Sequence, residues 1–202
     1  MLQYNVNICP TLIIFDQIDQ MPNYWHPTNV VAKTIESKGG LKDHWLAIAK
    51  GNGDALKKQL GTPIQFIKDI AKKYADLGGT VVTGTDTPGG VWTLPGMGLH
   101  RELELFVEIG FTEMEALQAA TVKAADSIDM KDIGRIKEGT VADLVILEEN
   151  PLVNIQHTRA IDRIVKGGRI YSQEEILEKI PSEEYLEKER KSFMVEYEKI
   201  TR

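Results

Sequence analysis

Gly78-Gly79-Thr80-Val81-Val82-Thr83-Gly84-Thr85-Asp86 is the stretch on which the fold turns. Two glycines stop a helix, a β-branched run makes a short strand, and Gly84 delivers the chain to a carboxylate. The helix before it starts at Thr62, a good N-cap, with Pro63 at the first helical position and Gln65 completing a capping-box pattern. Phe66, Ile67, Ile70, Tyr74 and Leu77 recur at helical spacing and are expected to form its buried face. Further back, the apolar run from Val6 to Phe15 carries Pro10 in its middle and reads as a short buried strand followed by a loop. Strand, helix, strand is the order of a parallel α/β sheet.

Between these elements, Asp16 to Lys38 reads as irregular, and a helix is expected around Lys42 to Lys50, closed by Gly51-Asn52-Gly53. Beyond Asp86 a Gly/Pro-rich loop runs to Gly98. A helix from Leu99 to Ile109 follows, apolar at Leu99, Leu103, Phe106 and Val107 and ended by Gly110. Thr112 caps the next helix, with Glu115 as its capping-box partner and Phe111 placed to staple onto Ala116. That helix is expected to reach about Asp126. From Ile133 the period changes: 134–136, 143–147 and 161–165 read as short strands, with turns at Glu138-Gly139 and Gly167-Gly168. Two helices close the chain, one capped by Ser172 with Glu175. The other is capped by Ser182 and carries Leu186, Phe193, Tyr197 and Ile200 on one face. The expected organisation is an α/β part over 1–130, a small β segment over 131–171 and C-terminal helices over 172–202.

The composition suits one large domain or two small ones: 202 residues, 42% hydrophobic and 27% charged. A net charge of −6 argues against nucleic acid or an anionic membrane surface as partner. No segment approaches the roughly 18 uninterrupted apolar residues of a membrane helix. The apolar N-terminus has no basic residues ahead of it and does not read as a signal peptide. Cys9 is the only cysteine, so a reducing, cytoplasmic setting is the expectation.

Asp86 is the foremost candidate for chemistry. Ligands of parallel sheets bind at the carboxyl ends of strands, where a carboxylate can hold a metal or move a proton. An aspartate there also serves as a turn residue bonded to nearby amides, and position alone leaves the two readings level. The loop from Thr87 to Gly98 is long for a plain connection, and Trp92 could wall a substrate. It is no phosphate loop, because no Gly-Lys-Ser/Thr follows its glycines. His100 opens the helix after this loop, either as a substrate contact or as a helix-start hydrogen bonder. His26, His44 and His157 lack metal-ligand spacing and read as loop or surface residues, and Cys9 reads as a buried inert thiol.

Taken together, Thr83-Gly84-Thr85-Asp86, Leu99-His100-Arg101-Glu102-Leu103-Glu104-Leu105, Gly110-Phe111-Thr112 and Ala120-Thr121 resemble the metal-dependent amidohydrolase superfamily. So do the run from Ile133 to Val145, Asn150-Pro151-Leu152, and Val165-Lys166-Gly167-Gly168-Arg169. The imidazolonepropionase and prolidase-like branch looks closest, and Cys9-Pro10-Thr11-Leu12 is similar to its penultimate barrel strand.

The resemblance implies the last two βα units of a (β/α)8 barrel plus a small β-sandwich segment and C-terminal helices. It implies hydrolysis of amide or cyclic amide bonds of a small-molecule substrate by metal-activated water, the divalent metal being zinc. Asp86 would be metal ligand and proton shuttle, and His100 and Trp92 would touch substrate. The family's His-x-His, its bridging lysine or glutamate and its later histidines have no counterpart here. A zinc site takes three or four protein ligands. The expectation is therefore the C-terminal part of such an enzyme, truncated or split, binding no metal tightly and inactive alone. A polypeptide carrying the N-terminal half would be its partner. The competing readings are a non-catalytic homo-oligomerising scaffold built from the same fold, and an anion-binding domain at the 84–98 loop, which has no basic residue to support it.

Overall fold

The computed structural model describes residues 2–20, 64–87 and 96–200, with Ala55 and Lys58 between the first two stretches. The helix expected at 42–50, the cap at Thr62 and Pro63, and His26, His44 and Trp92 lie outside the described residues.

The apolar N-terminal run does not form one strand. Ile8 makes a parallel bridge with Val81: its N–H donates to the Thr80 carbonyl (3.1 Å), and its carbonyl accepts from Val82 N–H (2.9 Å). Pro10 has no N–H to extend the ladder. Thr11 then takes a left-handed conformation, φ 49°, and helix α1 (Leu12–Gln20) begins. The expected strand thus gives way to a helix after three residues.

Helix α2 (Ile64–Asp76) ends as expected. Gly78 has φ 86°, and Gly78 and Gly79 donate to the carbonyls of Ala75 (2.8 Å) and Tyr74 (2.9 Å). The Tyr74 ring covers Gly79 so closely that a Cβ there would collide with it, and its hydroxyl donates to the Val6 carbonyl. The expected buried face is only partly right. Ala71 and Tyr74 are buried, whereas Phe66 and Leu77 are 66% and 60% exposed. Helical spacing finds a stripe but not its width, and the core takes the side centred on Ala71.

Helix α3 (Gly98–Glu108) supplies Leu103, Leu105 and Phe106 to the core, where Phe106 meets Phe111 with ring centroids 5.0 Å apart. The next helix breaks in two, α4 (Glu113–Ala120) and α5 (Val122–Ser127), because Thr121 leaves helical geometry. The Thr112–Glu115 capping box is present, and Phe111 and Ala116 share one core cluster. The Ala119 carbonyl accepts from Thr83 N–H (3.2 Å), which fixes α4 against the end of the Val81 segment.

The strand expected at 134–136 is absent. Gly134 is left-handed, φ 73°, and a Cβ on it would lie 2.7 Å from the Thr121 carbonyl oxygen. Close packing on the α4–α5 break forces a bend where an extended strand was expected. The other two expected strands form, β1 (Leu144–Leu147) and β2 (Ile161–Lys166), and a third that the sequence reading did not include, β3 (Arg169–Tyr171), joins them in an antiparallel sheet in that order. Leu144 faces Val165, and Val165 faces Ile170. Gly167 and Gly168, φ 58° and 80°, join β2 to β3 in the doubly left-handed two-residue turn that suits a hairpin. A short 3-10 helix (Ile155–Arg159) precedes β2 and sends Ile155 into the main core. Ser172 and Glu175 form the second capping box at the start of α6 (Gln173–Leu177), and α7 (Glu183–Ile200) closes the chain. Among the described residues, no helix is long and apolar enough to cross a membrane.

Candidate functional site

The carboxyl ends of the two bridged segments lie side by side. Cys9 follows Ile8 and packs on Gly84 so tightly that any Cβ at position 84 would collide with its Sγ. This contact gives Gly84 a steric reason. It also corrects the expectation for the thiol: Cys9 is exposed, because the strand holding it ends one residue earlier.

Asp86 sits two residues beyond Gly84 at the centre of a small turn. The Thr85 hydroxyl donates to Thr87 Oγ1 (3.0 Å) and accepts from Thr87 N–H (3.3 Å). Thr85 and Thr87 thus make the bonds that close the turn. Asp86 itself is left-handed, φ 52°, a conformation that aspartate adopts more readily than most residues. Its carboxylate is exposed and makes no hydrogen bond or ion pair with any described residue.

Helix α3 begins beside this turn. A Cβ on Gly98 would lie 3.4 Å from the Thr85 methyl and 3.3 Å from Ile13 Cδ1, so the first turn of α3 touches both segment ends. His100, in that first turn, reaches Thr158 of the 3-10 helix through Nδ1 (3.0 Å). The Thr158 hydroxyl donates to the Ile155 carbonyl (2.8 Å), so it accepts from His100 Nδ1–H. Burial, and then the nearby Arg159 guanidinium, push the His100 pKa down to about 4. The imidazole is neutral at pH 7, and its bond ties α3 to the 3-10 helix rather than capping the start of its own helix.

The next residues hold carboxylates that sequence reading passed over. Glu102 is 0% exposed and accepts from the first two amides of α1, Leu12 N–H to Oε1 (3.0 Å) and Ile13 N–H to Oε2 (2.7 Å). Burial pushes its pKa up to about 7 against the pull of those two bonds. Arg101 grips Asp16 of α1 with Nε (2.8 Å) and a terminal nitrogen (3.0 Å), and also meets Glu104 and Glu108. Burial opposes its charge, but the bonds to Asp16 and Glu108 outweigh it and raise its pKa. Glu104 in turn accepts from Arg159 (2.8 Å). The signal for Glu102 was its place on the apolar stripe, three residues after Leu99 and four before Phe106.

The donor set does not by itself fit a metal. Among the described residues no group of three or more His, Cys, Asp or Glu could hold one, and Asp86 offers a single carboxylate.

The sequence profile of the amidohydrolase family matches residues 58–171. Ochratoxinase of Aspergillus niger is 37% identical over 131 residues, 59% of this chain and 26% of its own length. Imidazolonepropionase of Cutibacterium acnes is 29% identical over 158 residues, 71% of this chain and 39% of its own. The chain therefore spans well under half the length of these relatives. A Xaa-Pro dipeptidase solved with methionine in its active site superposes with a TM-score of 0.50 at 25% identity, covering 69% of this chain and 33% of that one.

Proposed function

The chain belongs to the amidohydrolase family, and from that premise we propose that it is the C-terminal portion of a metal-dependent hydrolase acting on amide or cyclic amide C–N bonds. The observation that carries this reading is Asp86: a carboxylate at the carboxyl end of a parallel-bridged segment, exposed and unbonded to any described residue, within the matched span. A carboxylate so placed can take a proton from attacking water and return it to the leaving nitrogen. In this reading the Ile8 and Val81 segments are the last two strands of a (β/α)8 barrel. Asp86 adds one carboxylate to a zinc-type site whose other ligands come from outside the described residues, and Trp92 and His100 line the substrate pocket. The names of the relatives support small amide-type substrates, such as an ochratoxin, an imidazolone or a proline dipeptide.

Mixing is the test. The purified chain alone shows no hydrolysis. Adding a polypeptide that carries the N-terminal half of a relative restores chelator-sensitive hydrolysis. Asp86→Asn abolishes the restored activity without changing the melting temperature. Chelator-sensitive hydrolysis by the chain alone would overturn the reading.

Val145 and Ile170, exposed on the sheet, favour a second reading, a homo-oligomeric scaffold without catalysis. A metal-free dimer in light scattering, unresponsive to the added half, would support it.

A further inference from the structure

Thr11 raises a question that the core does not answer. It is a β-branched residue in the left-handed region, φ 49°, directly before α1, and such a conformation persists only where its surroundings hold it. The holding group comes from 90 positions away. Leu12 and Ile13 open α1, so their N–H groups have no partner inside the helix. Each bonds to a different oxygen of the Glu102 carboxylate, which is fully shielded from water. One turn on, Arg101 binds Asp16, so two consecutive residues of α3 grip α1 at two points. The same helix meets the other segment through Gly98 and Thr85.

We infer that Glu102 is the positioning residue of this rim: its carboxylate, carried by α3, holds the stretch from Cys9 to Ile13 beside Gly84, Thr85 and Asp86. Two amides on two oxygens is a carboxylate's arrangement. A proton on either oxygen replaces an acceptor with a donor and leaves one amide facing a hydroxyl. The charges facing Glu102 are Asp16 on α1, which favours the acid, and Arg101 on α3, which favours the carboxylate. Among the described residues none comes from α4, and Arg159 of the 3-10 helix pairs with Glu104 instead. With the acid form favoured up to about pH 7, the grip changes state near neutrality. The bearing of this clamp on hydrolysis rests on the reading of Asp86 above; the clamp itself does not.

The test uses the full chain and two reporters at the rim, the Leu12 and Ile13 amides and the Cys9 thiol. Glu102→Gln places an amide donor against one of the N–H groups. Compared above pH 8, where the wild-type group is the carboxylate, hydrogen exchange at Leu12 and Ile13 then rises about tenfold or more, and a thiol reagent labels Cys9 several-fold faster, while the α4 amides keep their protection. In the wild type the Leu12 and Ile13 amide resonances titrate together with a midpoint near 7, and in Glu102→Gln they stay flat. Unchanged exchange in the folded variant, or no such titration in the wild type, overturns the inference. If Glu102→Gln does not fold, Glu102→Asp, whose side chain is one methylene too short to reach both amides, is read by the same exchange measurement, and unchanged exchange there overturns the inference. Asp86→Asn leaves both reporters unchanged, so loss of the clamp and loss of the Asp86 reading register in different experiments.

Discussion

Leu105 and Phe106 in α3 are completely shielded from water, while Val145 and Ile170 in the three-stranded sheet are 57% and 62% exposed. Both regions are apolar in sequence. They differ in what is layered on them. Around α3, four stretches distant in the chain converge with the adjacent α4: α1, α2, the Val81 segment and the 3-10 helix. Val145 shares a face with Ile164 and Tyr171, and Ile170 lies on the opposite face with Val165 and Leu144, so apolar side chains are left open on both faces of the single sheet, and a layer needs another packed on it to bury such a face. Apolar content thus says that a segment can be buried, and convergence of other segments says whether it is.

The largest expected effect is on this contrast itself. Phe106→Ala empties a fully buried site and costs about 3–5 kcal/mol in denaturant unfolding. Ile170→Ala, already mostly in water, costs under about 1 kcal/mol. Equal costs would mean that the sheet is covered in solution.

Next comes the ionic grip between α1 and α3. Arg101→Met leaves Asp16 and Glu104 buried without their shared cation and costs about 3 kcal/mol by the same unfolding measurement. Lys131→Met at an exposed ion pair costs well under 1 kcal/mol.

The pH dependence sets two buried groups of α3 against each other. His100 has its folded pKa lowered from 6.5 to about 4, so the stability it contributes is complete above pH 6.5 and is lost as pH falls towards 4. Glu102 has its folded pKa raised from 4.5 to about 7. Its contribution is complete below pH 4.5 and is lost as pH rises through 7. The two slopes oppose between pH 4.5 and 6.5. Each is at most about 1.4 kcal/mol per pH unit, the limit for one proton. His100→Gln should uncover a stability that falls with rising pH, and Glu102→Gln one that falls with falling pH. Unfolding midpoints measured from pH 4 to 8 show this directly, and parallel profiles in the two variants would break the pairing.

The smallest effect is at a cap. Thr112→Ala removes the bond to the Glu115 amide and lowers stability by about 1 kcal/mol, read as a drop in melting temperature.

Features that depend on neighbours in the chain were legible. Gly78 ends α2, Thr112 with Glu115 and Ser172 with Glu175 cap their helices, and Gly167-Gly168 turns the hairpin, each through bonds spanning a few residues. Asp86 is the candidate that the β-branched run before it marks out, and that run makes a single parallel bridge, Ile8 to Val81. Features that depend on distant partners were missed. The start of α1 at Leu12 was hidden because its cap is Glu102, and the exposure of Cys9 because the strand stops at Pro10. The bend at Gly134 was hidden because the obstacle is the Thr121 carbonyl.

By itself, then, the sequence determined the local stops, caps and turns, the family, and Asp86 as the candidate for chemistry, since these follow from short-range bonding and motif. Tertiary structure alone decided which face of α2 is buried, that Glu102 and Glu104 lie inside, and that His100 is bound to Thr158. The reason is desolvation: a carboxylate or imidazole goes inside only where a partner from elsewhere in the chain replaces the water it loses.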